Sequence, residues 1–183
     1  LLNVYDYNKS RKVNDIFLYE ISKTYDKEYN EDTKIAVLMK GNYMNNNFNN
    51  ISIKTDYYLI KGILENLLDY MGFENRYTFE VSQISDLHPG VSAKILLDKN
   101  VIGVIGKVHP KTLKDNVYVF EINLEKLLKN HPSRMTYKDI PKFPSISKDI
   151  AFILDKNVTA GEVMATIKKA GGRLLSDINI FDI

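Results

Sequence analysis

Residues 86–122 constrain the fold more than any other stretch, because they hold short β-branched runs separated by residues that reverse a chain. Asp86-Leu-His-Pro-Gly-Val-Ser-Ala93 runs into Lys94-Ile-Leu-Leu97, turns at Asp98-Lys-Asn100 and returns as Val101 to Val108, and Val117-Tyr-Val-Phe-Glu-Ile122 follows. Val and Ile pack well on a pleated face while Asn, Asp, Gly and Pro supply the reversals, so the pattern predicts antiparallel strands in the middle of a sheet. Gly103 and Gly106 weaken an isolated strand, which predicts a β-bulge or a close approach by a neighbouring helix. They are not a phosphate loop. A P-loop has four residues between its glycines and Ser or Thr after its Lys, whereas here Val104 and Ile105 alone lie between the glycines and Val108 follows Lys107.

Upstream, Leu1, Leu2 and Tyr5 have helical spacing and no capping residue before them, so residues 1–11 read as the end of a helix that began earlier. Asp15-Ile-Phe-Leu-Tyr-Glu-Ile21 and Lys34-Ile-Ala-Val-Leu-Met39 are two more strands, joined by a charged reversal from Asp26 to Asp32. Residues 42–50 contain six asparagines, which hydrogen-bond their own backbone and predict a surface loop. Asp56 to Met71 carries Ile60, Ile63, Leu64, Leu67, Leu68 and Met71 three and four apart, an amphipathic helix with Thr55 as N-cap and Gly72 as C-cap. Its stripe suits either the core or a partner subunit. Tyr77 to Ser82 alternates as a half-buried strand.

Leu124 to Lys129 is a short helix, and the character of the chain changes after it. Residues 131–149 hold three of the five prolines, and in the stretch from Lys129 to Lys148 the bases Lys129, Arg134, Lys138, Lys142 and Lys148 are opposed only by Asp139. This is a linker between domains, either simply solvated or in contact with a nucleic-acid backbone. Lys148 to Leu154 reads as a strand. Thr159 and Glu162 form a capping box, with Val158 and Val163 as a hydrophobic staple, for a helix that runs to Ala170. Lys168 and Lys169 suit the negative end of its dipole, Gly171-Gly172 stops it, and Leu174 to Ile183 is a second strand. The order is β-α-β.

With 183 residues and 44% hydrophobic content, the chain has room for one large domain and a small second one. A net charge of +2 produces no global field for nucleic acid, so any such contact is local. The absence of cysteine excludes disulfides and thiolate metal sites and fits a reducing cytoplasm. His88, His109 and His131 each precede proline; without a third ligand at suitable spacing they fit hydrogen-bonded turns better than a metal site. Ser92 lies near His88 without the setting of a nucleophile. No paired carboxylates stand out, so neither catalytic nor metal residues are predicted.

Several uncommon strings occur in a fixed order: Tyr7-Asn8 with Arg11, Asp15 to Ile21, Asp56-Tyr-Tyr-Leu-Ile-Lys-Gly62, His88-Pro-Gly-Val-Ser-Ala93, Gly103-Val-Ile-Gly-Lys-Val-His-Pro110, Val117 to Glu121 and Lys142-Phe-Pro-Ser145. In that order they resemble the β subunit of bacterial phenylalanine–tRNA ligase over essentially the whole chain. The resemblance implies an α+β fold. Residues 1–138 would be a noncatalytic class II aminoacyl-tRNA synthetase-like antiparallel sheet with flanking helices, lacking its N-terminal part. Residues 139–183 would be the first β-α-β of a ferredoxin-like anticodon-binding domain, truncated.

Where an active class II domain places an arginine on ATP phosphates, this sequence places Asp26, and a second ATP-binding arginine has no counterpart before residue 138. Val91 stands where the family commonly has a basic residue. Ile180-Phe181-Asp182-Ile183 matches the first four positions of a strand motif that meets the anticodon, which makes Asp182 the RNA-binding candidate. The resemblance implies no cofactor in this piece, with ATP and Mg²⁺ used by the whole enzyme. It also implies a cytoplasmic heterotetramer of two α and two β subunits, with the α subunit and tRNA(Phe) as partners and no membrane. Alternative readings are a degenerate class II-like enzyme that still binds ATP or a small molecule, and an interaction module without an RNA role.

Overall fold

The computed structural model describes residues 1–133, 137, 139 and 142–181. The chain divides into two units, Leu1–Thr136 and Tyr137–Ile183. The first contains, in order, α1 (Leu2–Ser10), β1 (Ile16–Tyr25), β2 (Glu31–Lys40), β3 (Asn42–Asn46), β4 (Ile51–Lys54), α2 (Tyr57–Tyr70), β5 (Tyr77–Val81), β6 (Leu87–Leu97), β7 (Asn100–Val108), β8 (Tyr118–Asn123) and α3 (Leu124–Leu128). Six strands form one sheet in the order β1-β2-β8-β7-β6-β5, with β3 and β4 as a separate hairpin. Every neighbouring pair is antiparallel.

The stretch from residue 86 to 122 supplies β6, β7 and β8, and β7 and β8 are the central pair. Asp98 and Lys99 both have positive φ, 47° and 71°, the backbone that a tight two-residue hairpin turn requires between twisted strands. Ile95 pairs with Gly103 but Leu96 with Val101, which leaves Ile102 as an inserted bulge residue; Leu87 pairs with Val108 and Ser92 with Gly106, which throws residues 88–91 out of the ladder. A Cβ on Gly103 would lie 2.1 Å from the Glu121 carbonyl oxygen, and one on Gly106 2.5 Å from that of Val91. The expected bulge is therefore present, but the close approach comes from neighbouring strands and not from a helix.

One sheet face packs on α2 and α3. Ile60, Leu64, Leu68 and Leu127 join Met39, Ile95, Ile105, Phe120 and Ile122 in a buried cluster, at about 1.5–3 kcal/mol for each fully buried side chain. The α2 stripe is thus core. On the opposite face, α1 delivers Tyr5 to a smaller cluster with Ile16, Leu38, Val108 and Val117. The Tyr5 hydroxyl donates to Asp115, and Lys9 Nζ lies 2.5 Å from the same carboxylate.

Two local expectations change. Asp56, not Thr55, caps α2: its Oδ1 accepts from the Leu59 amide at 2.7 Å. Thr55 is buried, with its amide donating to the Gly41 carbonyl at 2.8 Å, so it serves the base of the β3–β4 hairpin instead. At the other end Gly72, at φ +84°, donates to the Asp69 carbonyl and Phe73 to that of Leu68, the Schellman arrangement. Residues 42–50 are not a plain loop but part of that hairpin. The asparagines build its turn: Asn46 Oδ1 accepts from the Phe48 and Asn49 amides, and Asn50 adopts φ 52°.

The second unit contains α4 (Ala160–Gly171), followed by a single 3-10 turn at Gly172–Leu174. The Thr159–Glu162 capping box forms as the sequence predicts. The two flanking strands do not: among the described residues, 148–154 and 175–181 have no ladder partner, Leu174 belongs to the 3-10 turn, and residues 182–183 lie outside the described residues. A strand exists through its neighbours' hydrogen bonds, and one helix cannot supply them. Residues 142–181 include none that is buried.

Candidate partner and nucleic-acid surfaces

Among the described residues β1 is an edge strand, with one side of its backbone unpaired. Alternation places Phe17, Tyr19 and Ile21 on one face, opposite Met39, Val37 and Ile35 of β2. Met39 is in the cluster under α2, and Val37 and Ile35 pack against it. The three β1 side chains prolong that apolar layer past the covering helix, so Tyr19 stays 75% and Ile21 56% exposed. From the neighbouring hairpin, the Tyr43 ring stands edge-on to Phe17 with centroids 6.1 Å apart. The sequence marks Asp15 to Ile21 as a strand. That β1 lies at an edge depends on non-local pairing, which is why this surface was missed.

The turn between β1 and β2 is organised by Asp26. Its carboxylate accepts from the Glu28 amide at 2.8 Å and from the Asn30 amide and side-chain nitrogen at 2.9 Å each. These bonds, with the Asn30 side chain foremost, hold the carboxyl below its ordinary value and keep it anionic. Nearby Lys23 is paired with Glu31, which also accepts from Tyr25 Oη at 3.0 Å. An anion locked into its own turn does not fit the phosphates of ATP. On the sheet face away from α2, Lys34 and Glu121 neutralise each other at 2.8 Å. Asn123 beside them caps α3 through the Lys126 amide.

Two of the histidines, His88 and His109, serve turns. Nδ1 of His88 accepts from the Gly90 amide, and Nδ1 of His109 from the Lys111 amide, each at 3.0 Å. The Ser92 hydroxyl donates to the Ser82 carbonyl at 2.7 Å and so ties β5 to β6. Among the described residues, no group of three or more acidic or histidine side chains has metal-binding geometry. Among them too, no helix is long and apolar enough to cross a membrane.

In the second unit the apolar side chains of the expected strands lie open, with Phe152 51% and Phe181 74% exposed. Asp182 lies outside the described residues. Of the basic stretch, Lys129, Lys142 and Lys148 are exposed, while Arg134 and Lys138 also fall outside the described residues.

The described residues thus form an antiparallel sheet packed on helices, followed by a second unit that contains one α-helix. Residues 1–124 match the family model of the phenylalanyl tRNA synthetase beta chain CLM domain, and residues 141–183 that of the ferredoxin-fold anticodon binding domain. The chain belongs to the phenylalanyl-tRNA synthetase β-chain family. It is 37% identical over 194 residues to the phenylalanine–tRNA ligase beta subunit of Bacillus subtilis strain 168. The corresponding subunit of Shouchella clausii is 34% identical over 194 residues, and that of Geobacillus kaustophilus 35% over 192. Each comparison covers all of this chain, which spans 24% of the length of these relatives.

Proposed function

We propose that this chain is part of the noncatalytic β subunit of phenylalanine–tRNA ligase. It scaffolds the catalytic α subunit and contributes to holding the anticodon arm of tRNA(Phe) while tRNA is charged with phenylalanine at the expense of ATP. Residues 1–138 are then a class II synthetase-like domain without an active site, and residues 139–183 the opening of the anticodon-binding domain, with Asp182 as a base-reading residue. ATP and Mg²⁺ are used by the whole enzyme, a cytoplasmic assembly of two α and two β subunits, and this portion holds neither.

The observation that carries the scaffolding role is the open apolar row Phe17, Tyr19 and Ile21 on an unpaired edge strand, continuous with the core layer. An exposed row of this kind on an edge strand is rare in a free-standing protein and marks an interface. The Asp26 turn supports the noncatalytic reading, since it offers a carboxylate where a phosphate-binding cation is needed. The remote anticodon contact contributes by orienting the acceptor end.

The test uses the full-length β subunit with its cognate α subunit, with Tyr19→Lys and Ile21→Lys introduced together. The unmodified pair is expected to assemble and charge tRNA(Phe), and the doubly substituted β subunit to fold but release α. Normal assembly of the substituted subunit would refute the assignment of this row.

A further inference from the structure

The end of α2, the β6–β7 turn and residues 131–133 meet at one corner of the first unit, and a single side chain ties them together. Arg76 Nε donates to Asp98 Oδ1 at 3.1 Å and Nη2 to Oδ2, while Nη1 donates to the His131 carbonyl at 2.6 Å. The Asp98 amide returns a bond to the Arg76 carbonyl at 3.1 Å. The guanidinium lies 5.4 Å from the centroid of the buried Phe73 ring, which limits its freedom.

Beside it, the Ser133 amide donates to the Gly72 carbonyl at 2.8 Å. A Cβ on Gly72 would come within 2.9 Å of Pro132 Cβ, so the same glycine that ends α2 also admits the proline. His131, Pro132 and Ser133 are themselves exposed. Burial gives them no reason to be held here, and hydrogen bonds do the holding. They are also the first residues of the Pro-rich basic stretch that leads to the second unit.

We infer that Arg76 is a positioning residue that fixes the root of the inter-unit segment, and so sets the point from which the anticodon-binding unit is tethered. Its planar fork grips a carboxylate with two nitrogens while a third reaches a carbonyl, a geometry that a lysine ammonium cannot reproduce. Without Arg76 the hydrogen bond to the His131 carbonyl is lost and residues 131–133 are no longer held, so the point from which the chain leaves the first unit is no longer fixed and the effective concentration of the second unit at its RNA partner falls. The inference rests on the reading of residues 141–183 as part of a tRNA-binding unit.

The test is made on full-length β subunit assembled with α, carrying Arg76→Ala or, as the milder change, Arg76→Lys. Amide hydrogen exchange at Ser133 should accelerate by roughly 10-fold or more, while the Phe73 amide, bonded within the α2 terminus, stays as slow as before. The KM for tRNA(Phe) should rise roughly 2- to 10-fold. Phenylalanine-dependent pyrophosphate exchange without tRNA should be unchanged. A merely structural role would not split the two activities in this way. Unchanged tRNA KM in both variants, or parallel loss of both activities, overturns the inference. Failure of the unmodified enzyme to charge tRNA would instead overturn the functional reading on which it rests.

Discussion

The sharpest structural prediction concerns Gly103, in the middle of β7. A Cβ there would sit 2.1 Å from the Glu121 carbonyl oxygen and 3.0 Å from Ile122 Cα. Carbon and oxygen approach one another to about 3.3–3.6 Å at best, so Gly103→Ala forces β7 and β8 apart by roughly 1 Å. Ladder bonds near 2.9 Å would stretch past the hydrogen-bonding range. Two such bonds at about 1 kcal/mol each, with some cost for buried groups left unpaired, combine with about 1–3 kcal/mol of overpacking. The expected loss is roughly 3–6 kcal/mol, a large part of a typical domain's stability. Because β7 and β8 are the two central strands, there is no free edge toward which the strain can relax. Gly62→Ala is the control, since nothing beyond the backbone of its own helix lies within 4 Å of the added methyl and the change should stabilise by about 0.5–1 kcal/mol. Urea unfolding followed by circular dichroism measures both. Gly103→Ala within about 1 kcal/mol of the unmodified chain would refute this account of the central pair.

Leu64→Ala should cost about 2–5 kcal/mol, because Leu64 is wholly buried between α2 and the sheet; a cost near zero in the same unfolding experiment would return the α2 stripe to the status of a partner surface. The Lys9 ammonium, followed by the Tyr5 hydroxyl, holds the Asp115 carboxyl below its usual value. Its contribution is therefore full above about pH 4 and is lost as pH falls through the lower folded value. Asp115→Asn should destabilise at pH 7 and flatten the acid limb of stability against pH; urea midpoints at pH 7 and pH 3 that shift in parallel for both proteins would contradict this. Asp182→Ala should leave thermal stability nearly unchanged and weaken tRNA(Phe) binding by the full-length subunit, and a substantial drop in Tm would assign the residue a structural role instead.

Much of the first unit is legible in the sequence because its signals are local. Short apolar and β-branched runs bounded by turn residues mark β1, β2 and β6 to β8, alternation marks β5, the spacing from Ile60 to Met71 marks α2, and Asp98-Lys-Asn100 marks the turn. The errors are also physical. Thr55 and Asp56 are both good caps, and only the hairpin base that recruits the Thr55 amide decides between them. Asparagine richness at 42–50 suggests a surface loop, because asparagine favours the hairpin turn at residues 46–50, and it hides the strand β3 within the same stretch. In the second unit residues 150–154 are a genuine apolar run, yet a strand needs partners that local pattern does not report. The candidate surfaces were less legible still. The edge position of β1 and the meeting of Arg76 with Asp98 and His131, 22 and 55 residues away, arise only after the sheet has formed.

The central claim, that this chain is a noncatalytic piece which docks the α subunit, is tested most directly by light scattering during size-exclusion chromatography of the chain mixed with cognate α subunit. The account predicts a stable complex containing both, and its loss when Tyr19 and Ile21 are replaced by lysine. A folded chain that elutes alone at its own 21.1 kDa, with α in a separate peak, would contradict it.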